Sequence, residues 1–333
     1  QRSTSPYSFP IVLVNKKDEG AKQRLTVDYR KLNAVTIPEH FPLPRICDIE
    51  DKLLNAKYFT TLDLSAGFHH VAIAQEDRHK TAFVTMNETY QWNVLAMGLK
   101  NSPIVFHRIL YNILKKHDLL SFTSVYIDDI IVFSTSFHSH MEHLEQVLTA
   151  MRKENIKLKQ SKCQFAKTSV VYLGHRLSYN QIQPINNNVQ AIKEFAPPRN
   201  VRQLRGFIGK ANYYYRFIPN RTKVMDPLYQ LLRKGVTFKW TTEAQQAFDE
   251  VKKILTEYPV LRLYDPDRDT ILYTDASRVG IGAILKQLQD DGEYLPVGYF
   301  SKKLLPYQRN YSVTELECLA LVESIEYYHY WLH

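Results

Sequence analysis

The sequence predicts an α+β protein, and three observations predict this class. Residues 1–177 alternate short β-branched and aromatic runs, bounded by turn residues, with two long helical patterns. Residues 178–235 are richer in helix signals, and the pair Pro197-Pro198 separates two of those helical patterns. Residues 236–333 return to a helix, three strands and a final helix. A chain of 333 residues is long enough for two or three domains.

The first region is predicted to contain strands and two long helices. The first helix opens just after Pro103, because proline is tolerated in the first turn of a helix. The second helix carries apolar residues on one face, and these are Met141, Leu144, Val147, Leu148 and Met151. The predicted strands are Val12–Lys16, Arg24–Tyr29, Phe59–Leu64, Thr81–Thr85, Thr123–Ile127 and Ile130–Ser134, and the helices are Ile104–Lys116 and His138–Glu154.

The middle region is predicted to hold a helix that begins at Asn200. Asn200 followed by Gln203 resembles a capping box in which Asn replaces Ser or Thr. Apolar residues at helical spacing line one side of this helix, and cations lie elsewhere on it. The apolar residues are Leu204, Phe207, Ile208, Ala211 and Tyr215, and the cations are Arg202, Arg205 and Lys210. The cations form either a solvated basic face or a surface for the phosphates of a duplex.

The third region begins near Val236 and is predicted to form a unit of its own. Its first helix, Glu243–Glu257, is amphipathic, because Ala247, Val251 and Leu255 recur at helical spacing. The following strands are Thr270–Thr274, Gly282–Leu285 and Tyr294–Ser301, and a helix runs from about Ser312 to Trp331.

Two adjacent carboxylates, Asp128 and Asp129, lie between two apolar, β-branched runs. This pattern predicts a strand, a tight turn and a strand, with both negative charges at the tip of a hairpin. Asp is common in turns, so the pair alone also fits an ordinary turn. A third carboxylate, Asp63, lies at the end of another predicted strand. If the three converge, they form an all-oxygen site suited to Mg²⁺ or Mn²⁺ and to two-metal phosphoryl transfer.

Composition narrows the class of partner. The net charge of +9 and the isoelectric point near 9.2 suit a polyanion such as nucleic acid. The cysteines, Cys47, Cys163 and Cys318, have no metal-ligand spacing and are predicted to be inert thiols in a reducing compartment. No apolar run approaches the roughly 20 residues of a membrane span. The chain lacks a starting Met, and we expect it to be excised from a longer precursor or cut as a fragment.

Several motifs resemble those of reverse transcriptases. Tyr126-Ile127-Asp128-Asp129 is similar to their Tyr-x-Asp-Asp box, and Leu62–Phe68 resembles their other palm motif. Further matches occur in the right order at Ser5–Ser8, Val12–Asp18, Arg24–Asn33, Met97–Pro103 and Tyr172–His175. The string is most similar to the polymerase of gypsy-class LTR retrotransposons. The resemblance implies a right-hand polymerase, with fingers and palm over residues 1–177 and a thumb over 178–235, followed by a linker helix and a truncated ribonuclease H-like α/β domain over 236–333.

The resemblance implies roles for residues of the palm. Asp63, Asp128 and Asp129 would bind two metal ions, Mg²⁺ or Mn²⁺. Phe68 would be the gate that packs against the sugar and rejects a 2′-hydroxyl. An ordinary core position for Phe68, beside Gly67, is the alternative.

Further roles concern the nucleotide and the primer. Lys16 and Arg24 would hold the incoming triphosphate, since a point cation and a planar fork are the natural phosphate binders. Met97 would line the nucleotide pocket, and Leu173 with Gly174 would form the turn that grips the primer end. The alternatives are a solvated hairpin tip for Lys16 and an exposed strand position for Arg24.

The chain departs from the family pattern at several positions. The family usually has Pro-Phe where Ala96 and Met97 stand, and Gln where His70 and His107 stand. These departures motivate a second hypothesis, in which the protein is a non-catalytic nucleic-acid-binding relic or the structural subunit of a dimer.

The third region resembles the ribonuclease H domain that follows the thumb in these polyproteins. Asp275 would be its first metal ligand and Glu317 its second, with Glu315 as the competing choice. The family needs further carboxylates after this helix, and no Asp follows Asp291 in the sequence. Mg²⁺ demands near-ideal octahedral geometry, so we expect this chain to lack ribonuclease H activity.

The leading hypothesis is therefore an RNA- and DNA-templated DNA polymerase. A protein whose main activity is that of a nuclease is disfavoured. Its expected partners are an RNA template, a DNA template/primer duplex and dNTPs, without a membrane. The sequence leaves monomer and dimer open. The expected location is the cytoplasm, in the virus-like particle of a retroelement, with the nucleus as the alternative.

Overall fold

The computed structural model describes residues 1–15, 23–257 and 259–333, with the main chain alone at Arg24. Lys16 lies outside the described residues, so the predicted triphosphate roles of Lys16 and of the Arg24 side chain stay predictions. The chain forms two compact units. One comprises residues 1–52 and 57–168, and the other comprises residues 53–56 and 169–333. The finer division at residues 177 and 235 likewise stays a prediction.

The described part of the first unit carries two four-stranded sheets with helices beside them. Their strand orders are β2-β1-β4-β5 and β6-β7-β3-β8. The strands are β1 (Phe9–Asn15), β2 (Gln23–Val27), β3 (Tyr58–Leu62), β4 (Phe83–Val84), β5 (Thr89–Tyr90), β6 (Thr123–Tyr126), β7 (Asp129–Ser134) and β8 (Gln164–Lys167). The helices are α1 (Arg30–Val35), α2 (Ile46–Lys52), α3 (Ser102–Lys116) and α4 (Phe137–Lys153).

The core of this unit lies between the sheet β6-β7-β3-β8 and the helices α3 and α4. Phe106, Leu110 and Leu114 of α3 are fully buried, as are Val147 and Met151 of α4. Truncating such a side chain to Ala costs about 2 to 5 kcal/mol of unfolding free energy. This packing therefore supports the sheet at whose end the β6–β7 turn lies.

The predicted strand Thr81–Thr85 is wrong at its beginning. Residues Gln75–Thr81 form a 3₁₀-helix, and β4 starts only at Phe83. The Thr81 hydroxyl donates to the Arg78 carbonyl at 2.7 Å, which closes the preceding turn instead of extending a strand.

The predicted apolar face of α4 is partly wrong. Met141 and Leu148 are 47% and 38% exposed, while Leu144 and Val147 are buried as predicted. His140 takes the remaining inward position, because its ring nitrogens bond the hydroxyls of Thr60 and Ser134, both at 2.8 Å. A buried polar network thus fills a place that hydropathy assigned to an apolar side chain.

The second unit combines two sheets with a set of helices. The strand orders are β12-β11-β10-β9 and β13-β14-β15. The strands are β9 (Ser169–Tyr172), β10 (His175–Ser178), β11 (Gln181–Pro184), β12 (Leu261–Arg262), β13 (Thr270–Ala276), β14 (Gly280–Leu288) and β15 (Tyr294–Lys303). The helices are α5 (Asn186–Lys193), α6 (Val201–Tyr213), α7 (Arg221–Gln230), α8 (Thr242–Thr256) and α9 (Val313–Leu332).

The helix α6 begins as predicted, at an Asn200 cap. The Asn200 side chain accepts the Gln203 N–H at 2.9 Å, but the Gln203 side chain accepts the N–H of Arg199, one residue before the cap. The predicted buried stripe of Leu204, Phe207, Ile208 and Ala211 is confirmed. Tyr215 was placed on this stripe wrongly, because α6 ends at Tyr213 and Tyr215 is 39% exposed in the next turn.

Candidate active site

Strand register brings two of the predicted carboxylates to the same end of one sheet. The strands β3 and β7 are antiparallel, with Leu62 opposite Ile130. The next positions along this ladder are Asp63 and Asp129. Directly opposite residues of an antiparallel pair have Cβ atoms roughly 4.5–5.5 Å apart where the ladder continues. The register therefore makes these two carboxylates neighbours although they are far apart in the sequence.

The third carboxylate, Asp128, belongs to the turn between β6 and β7. Tyr126 pairs with Asp129, which leaves Ile127 and Asp128 as a two-residue turn. Ile127 has a φ of 59°, in the left-handed region that a β-branched residue rarely adopts. The predicted hairpin is confirmed, but its turn lies one residue earlier than predicted, at Ile127-Asp128, and Asp129 is the first residue of β7. The turn is strained at Ile127.

The three charges interact with one another. The pKa of Asp129 is raised to about 6, first because the surrounding protein removes water from its carboxylate and then because Asp128 and Asp63 repel its charge. Asp128 and Asp129 are nevertheless exposed at the tip, and Asp63 is half-buried. The site is therefore open to a ligand from solvent while it disfavours its own full ionisation.

This donor set fits a divalent metal ion. Among the residues that the structure describes, no three or more His, Cys, Asp or Glu side chains are already arranged as a ligand group. The three aspartates offer carboxylate oxygens, which Mg²⁺ and Mn²⁺ prefer. A cation between them would relieve the repulsion that raises the pKa of Asp129.

Phe68 lies in the 3₁₀-helix Gly67–His70, shortly after Asp63. Its ring is half-buried and meets the ring of Phe106 edge-on, with centroids 5.6 Å apart. A Cβ at Gly67 would lie 2.9 Å from the Phe106 ring, so only glycine permits this close approach. The core of the unit therefore fixes Phe68 from one side. Its predicted role as a sugar gate stays a prediction.

Met97 lies in the segment between β5 and α3, and it is half-buried. Asn33 holds this segment through both ends of its amide. Its Nδ2 donates to the Gly98 carbonyl at 2.8 Å, and its Oδ1 accepts the Lys100 N–H at 2.8 Å. A fixed loop position suits a pocket wall, and the predicted nucleotide contact of Met97 stays a prediction.

The second unit presents Leu173 and Gly174 as the two-residue turn between β9 and β10. Both have positive φ, at 43° and 70°, as a type I′ hairpin turn requires. The hydroxyls of Tyr213 and Tyr214 donate to the carbonyls of Leu173 and Gly174 at 2.6 and 2.8 Å. The two tyrosines thus hold the predicted primer-grip turn, a contact that the sequence analysis does not predict.

The ribonuclease H candidates lie on separate elements of the same unit. Asp275 is exposed on β13, and Glu317 is exposed on α9. Glu315 is used otherwise, because its carboxylate accepts the Ser312 N–H at 2.7 Å in a capping box that starts α9. Of the two candidates on this helix, Glu317 is therefore the better placed for a ligand role, which stays a prediction.

The comparisons with known proteins decide the family. The model for reverse transcriptase (RNA-dependent DNA polymerase) matches residues 14–177, and the model for the RNase H-like domain found in reverse transcriptase matches residues 240–333. This chain belongs to the reverse transcriptase family. The first match contains all three aspartates of the candidate site.

Curated relatives of this reverse transcriptase are transposon polyproteins. It is 39% identical over 97% of its length to the retrovirus-related Pol polyprotein from transposon opus of Drosophila melanogaster. It is 36% identical over its whole length to that from transposon 297 of the same organism, and 35% identical over 97% of its length to the transposon Tf2-3 polyprotein of Schizosaccharomyces pombe. The chain spans 24% to 34% of the length of these relatives.

Solved structures support the predicted fold of the reverse transcriptase. The foamy viral protease-reverse transcriptase in complex with dsDNA matches with a TM-score of 0.85 and 25% identity, over 98% of this chain and 68% of that one. The same viral protein in complex with an RNA/DNA hybrid matches with a TM-score of 0.81 and 23% identity, over 99% of this chain and 44% of that one. The α+β right-hand polymerase followed by a ribonuclease H-like domain is confirmed.

The described residues of the reverse transcriptase include no helix that is both long and apolar enough to cross a bilayer.

Proposed function

We propose that this chain is an RNA- and DNA-templated DNA polymerase from a gypsy-class retrotransposon, which extends a primer with dNTPs. The observation that carries the proposal is the meeting of Asp63, Asp128 and Asp129 at one sheet end, inside the region that matches reverse transcriptases. The raised pKa of Asp129 supports it, because a carboxylate group under repulsion is ready to accept a cation.

In the reaction the primer 3′-hydroxyl oxygen bonds to the α-phosphorus of the dNTP and its proton passes to solvent. The bond from that phosphorus to the bridging oxygen breaks, and pyrophosphate leaves with the bonding electron pair. Asp63, Asp128 and Asp129 would hold two Mg²⁺ or Mn²⁺ ions, with Asp63 fixed by β3 and the other two by the hairpin tip. When bound, the ions would supply positive charge to the attacking and leaving oxygens. The protein's own contribution is positioning, because Asp63 directly follows β3, Asp129 begins β7, which pairs with β3, and Asp128 lies in the adjoining turn.

Phe68 and Met97 would contact the nucleotide. The Phe106 ring supports Phe68 from behind, so the gate can resist the extra oxygen of a ribose. Asn33 fixes the loop of Met97, which would form a second wall of the pocket. The rigid support of Phe68 and of the Met97 loop suits these contacts, since a flexible pocket wall would not discriminate between nucleotides.

The helix α6 would hold the template/primer duplex. Arg202, Arg205 and Lys210 are exposed on it, which suits contact with phosphates in a manner independent of sequence. A groove of about 400 Å³ lies beside Lys210, lined in part by Gly206 and Gly209. A Cβ at either glycine would meet nothing within 4 Å, so the groove floor is open. RNA/DNA hybrid and DNA duplex are the ligands that this surface is proposed to take.

Primer extension on RNA and DNA templates tests the proposal, with Mg²⁺ and Mn²⁺ compared. We expect extension by the unmodified chain and its loss in Asp128→Asn, with duplex binding retained. Asp267→Asn, a change at an exposed loop carboxylate of the second unit, is the matched control. Duplex binding without extension under either metal would refute the proposal and favour a binding role.

A further inference from the structure

Two histidines of the first unit hydrogen-bond the main chain of the segments that carry or pair with the candidate carboxylates. The His107 Nδ1 accepts the Ile127 N–H at 3.2 Å, and the His70 Nε2 accepts the Lys157 N–H at 3.1 Å. We infer that His107 and His70 are positioning residues, which hold the carboxylate-bearing segments through imidazole nitrogens that act as acceptors. The inference rests on the proposed polymerase function and deepens it.

The contact of His107 falls on the strained point of the hairpin. Ile127 has a φ of 59°, a left-handed conformation that is unfavourable for a β-branched residue and persists only where the surroundings enforce it. His107 is 1% exposed on α3, within the packed core. The imidazole therefore anchors the peptide group that links Tyr126 to Ile127, one residue before Asp128, to a helix packed in the core. Without this acceptor, the turn is free to relax and to carry Asp128 with it.

The hydrogen bond defines the protonation state of His107. A ring nitrogen that accepts an N–H carries no proton, so the proton of the neutral ring is on Nε2. Burial lowers the pKa of His107, which favours this neutral form. The edge of the Phe41 ring, with its centroid 5.6 Å from that of the imidazole, contributes to the apolar surroundings.

His70 performs the same task on the other side of the site. Its Nε2 accepts the Lys157 N–H, so its Nδ1 carries the proton and donates to the Gly67 carbonyl at 3.0 Å. The ring thereby bridges the turn that bears Phe68 to the segment that begins at Lys157.

That segment in turn pairs with the end of β3. The Ser65 N–H donates to the Lys157 carbonyl at 2.8 Å, and the Lys159 N–H donates to the Asp63 carbonyl at 2.9 Å. His70 thus adds side-chain hydrogen bonds to the main-chain bonds that flank Asp63. One imidazole holds the Asp63 segment, and the other holds the segment of Asp128.

The test separates the acceptor from the bulk of the side chain. Leu removes the acceptor while keeping an apolar group of similar size, and Gln supplies a carbonyl oxygen that can accept the same N–H. We expect His107→Leu to lower kcat for primer extension about 10- to 100-fold, as loss of supporting contacts around metal ligands does. The KM for dNTP and the Kd for duplex should change less than about threefold, and His107→Gln should recover most of the rate.

The same pair of substitutions at His70 should give the same pattern. His138→Leu is the matched control, because the His138 side chain is 90% exposed on α4, and it should leave kcat unchanged. Equal kcat in wild type and His107→Leu, or equal losses in His107→Leu and His107→Gln, would overturn the inference.

Amide hydrogen exchange provides a measurement that needs no activity. We expect the Ile127 and Lys157 amides to be protected in the unmodified chain, and each to lose protection in the Leu variant of its own histidine but not in the Gln variant. Fast exchange of both amides in the unmodified chain would contradict the inference whatever the polymerase result. Protected amides in a chain that binds duplex without extending it would instead refute the proposed function alone.

Discussion

The two carboxylate sites of this chain are built in different ways. In the first unit, Asp63 and Asp129 are neighbours through strand register, and Asp128 follows in the tight turn. In the second unit, the exposed Asp275 and Glu317 lie on a strand and on a helix. The first arrangement forces charges together and raises the pKa of Asp129, a repulsion that a bound cation would relieve. Main-chain pairing, more than the number of acidic residues, therefore brings carboxylates close enough to repel one another.

The largest expected effect separates the two sites directly. Asp128→Asn should lower primer extension by more than about 100-fold, because even residues that only support metal ligands account for 10- to 100-fold. Asp275→Asn should leave extension within about twofold, since that carboxylate belongs to the other site. Steady-state extension with both variants checks this. Comparable losses from the two changes would break the distinction.

The next largest effect is expected at Phe68, the predicted sugar gate. Phe68→Ala should reduce discrimination between dNTP and rNTP by about 10- to 100-fold, the range over which a shaped pocket separates substrates that differ by one small group. Competition between matched dNTP and rNTP substrates measures it. Phe68→Tyr, which keeps the ring, serves as control. If Phe68→Ala discriminates as well as the parent, Phe68 has no part in sugar selection.

The pH dependence of metal use sharpens the account of the first site. The pKa of Asp129 is raised to about 6 in the metal-free protein, so below pH 6 the carboxyl holds a proton that the metal must displace. Lowering the pH through 6 therefore stabilises the folded chain with Asp129 protonated, and it weakens the binding of the metal ion. The Mg²⁺ concentration for half-maximal extension should rise by up to about tenfold per pH unit below 6 and stay level above it.

A Mg²⁺ titration of extension at several pH values on either side of 6 measures this effect. Duplex affinity at each pH, measured without metal, is the control. A half-maximal Mg²⁺ concentration that stays constant through this range would show that Asp129 does not bind the ion.

The smallest effect is expected at the second site. The 333-residue chain should not cleave the RNA strand of a hybrid with Mg²⁺ or Mn²⁺, because two exposed carboxylates do not make the ligand set that Mg²⁺ demands. Labelled RNA in a hybrid measures this, and Glu317→Gln should behave as the unmodified chain does. Metal-dependent cleavage that Glu317→Gln abolishes would show that the second site is complete.

Local patterns in the sequence predicted most of the strands and helices. The β6–β7 hairpin with its acidic tip, the Asn200 cap and the buried stripe of α6 follow from residue spacing alone. The meeting of Asp63 with Asp129 does not, because the choice of strand partner is a tertiary property. Only the family resemblance supplied that expectation.

The errors also have a tertiary origin. Met141 is predicted to be buried on α4, but the hydrogen bonds of His140 place a different side of that helix against the core. The family pattern marks His107 only as a departure, although a lone histidine among the apolar residues of α3 indicates a buried hydrogen-bond partner. The clamp by Tyr213 and Tyr214 gave no comparable signal, since it depends on where the end of α6 meets a distant turn.

The pairing of β11 with β12 has a consequence for synthesis of the chain. Ile182 is opposite Leu261, and the helices α5 to α8 lie between them in sequence. Those helices form from local contacts, whereas the sheet is completed only after β12 has been synthesised, much later than β11. Until the ribosome has released Leu261, β11 keeps one unpaired edge to which another nascent chain can add. Folding of this unit should therefore be slow, and chaperones that mask strand edges should raise its yield.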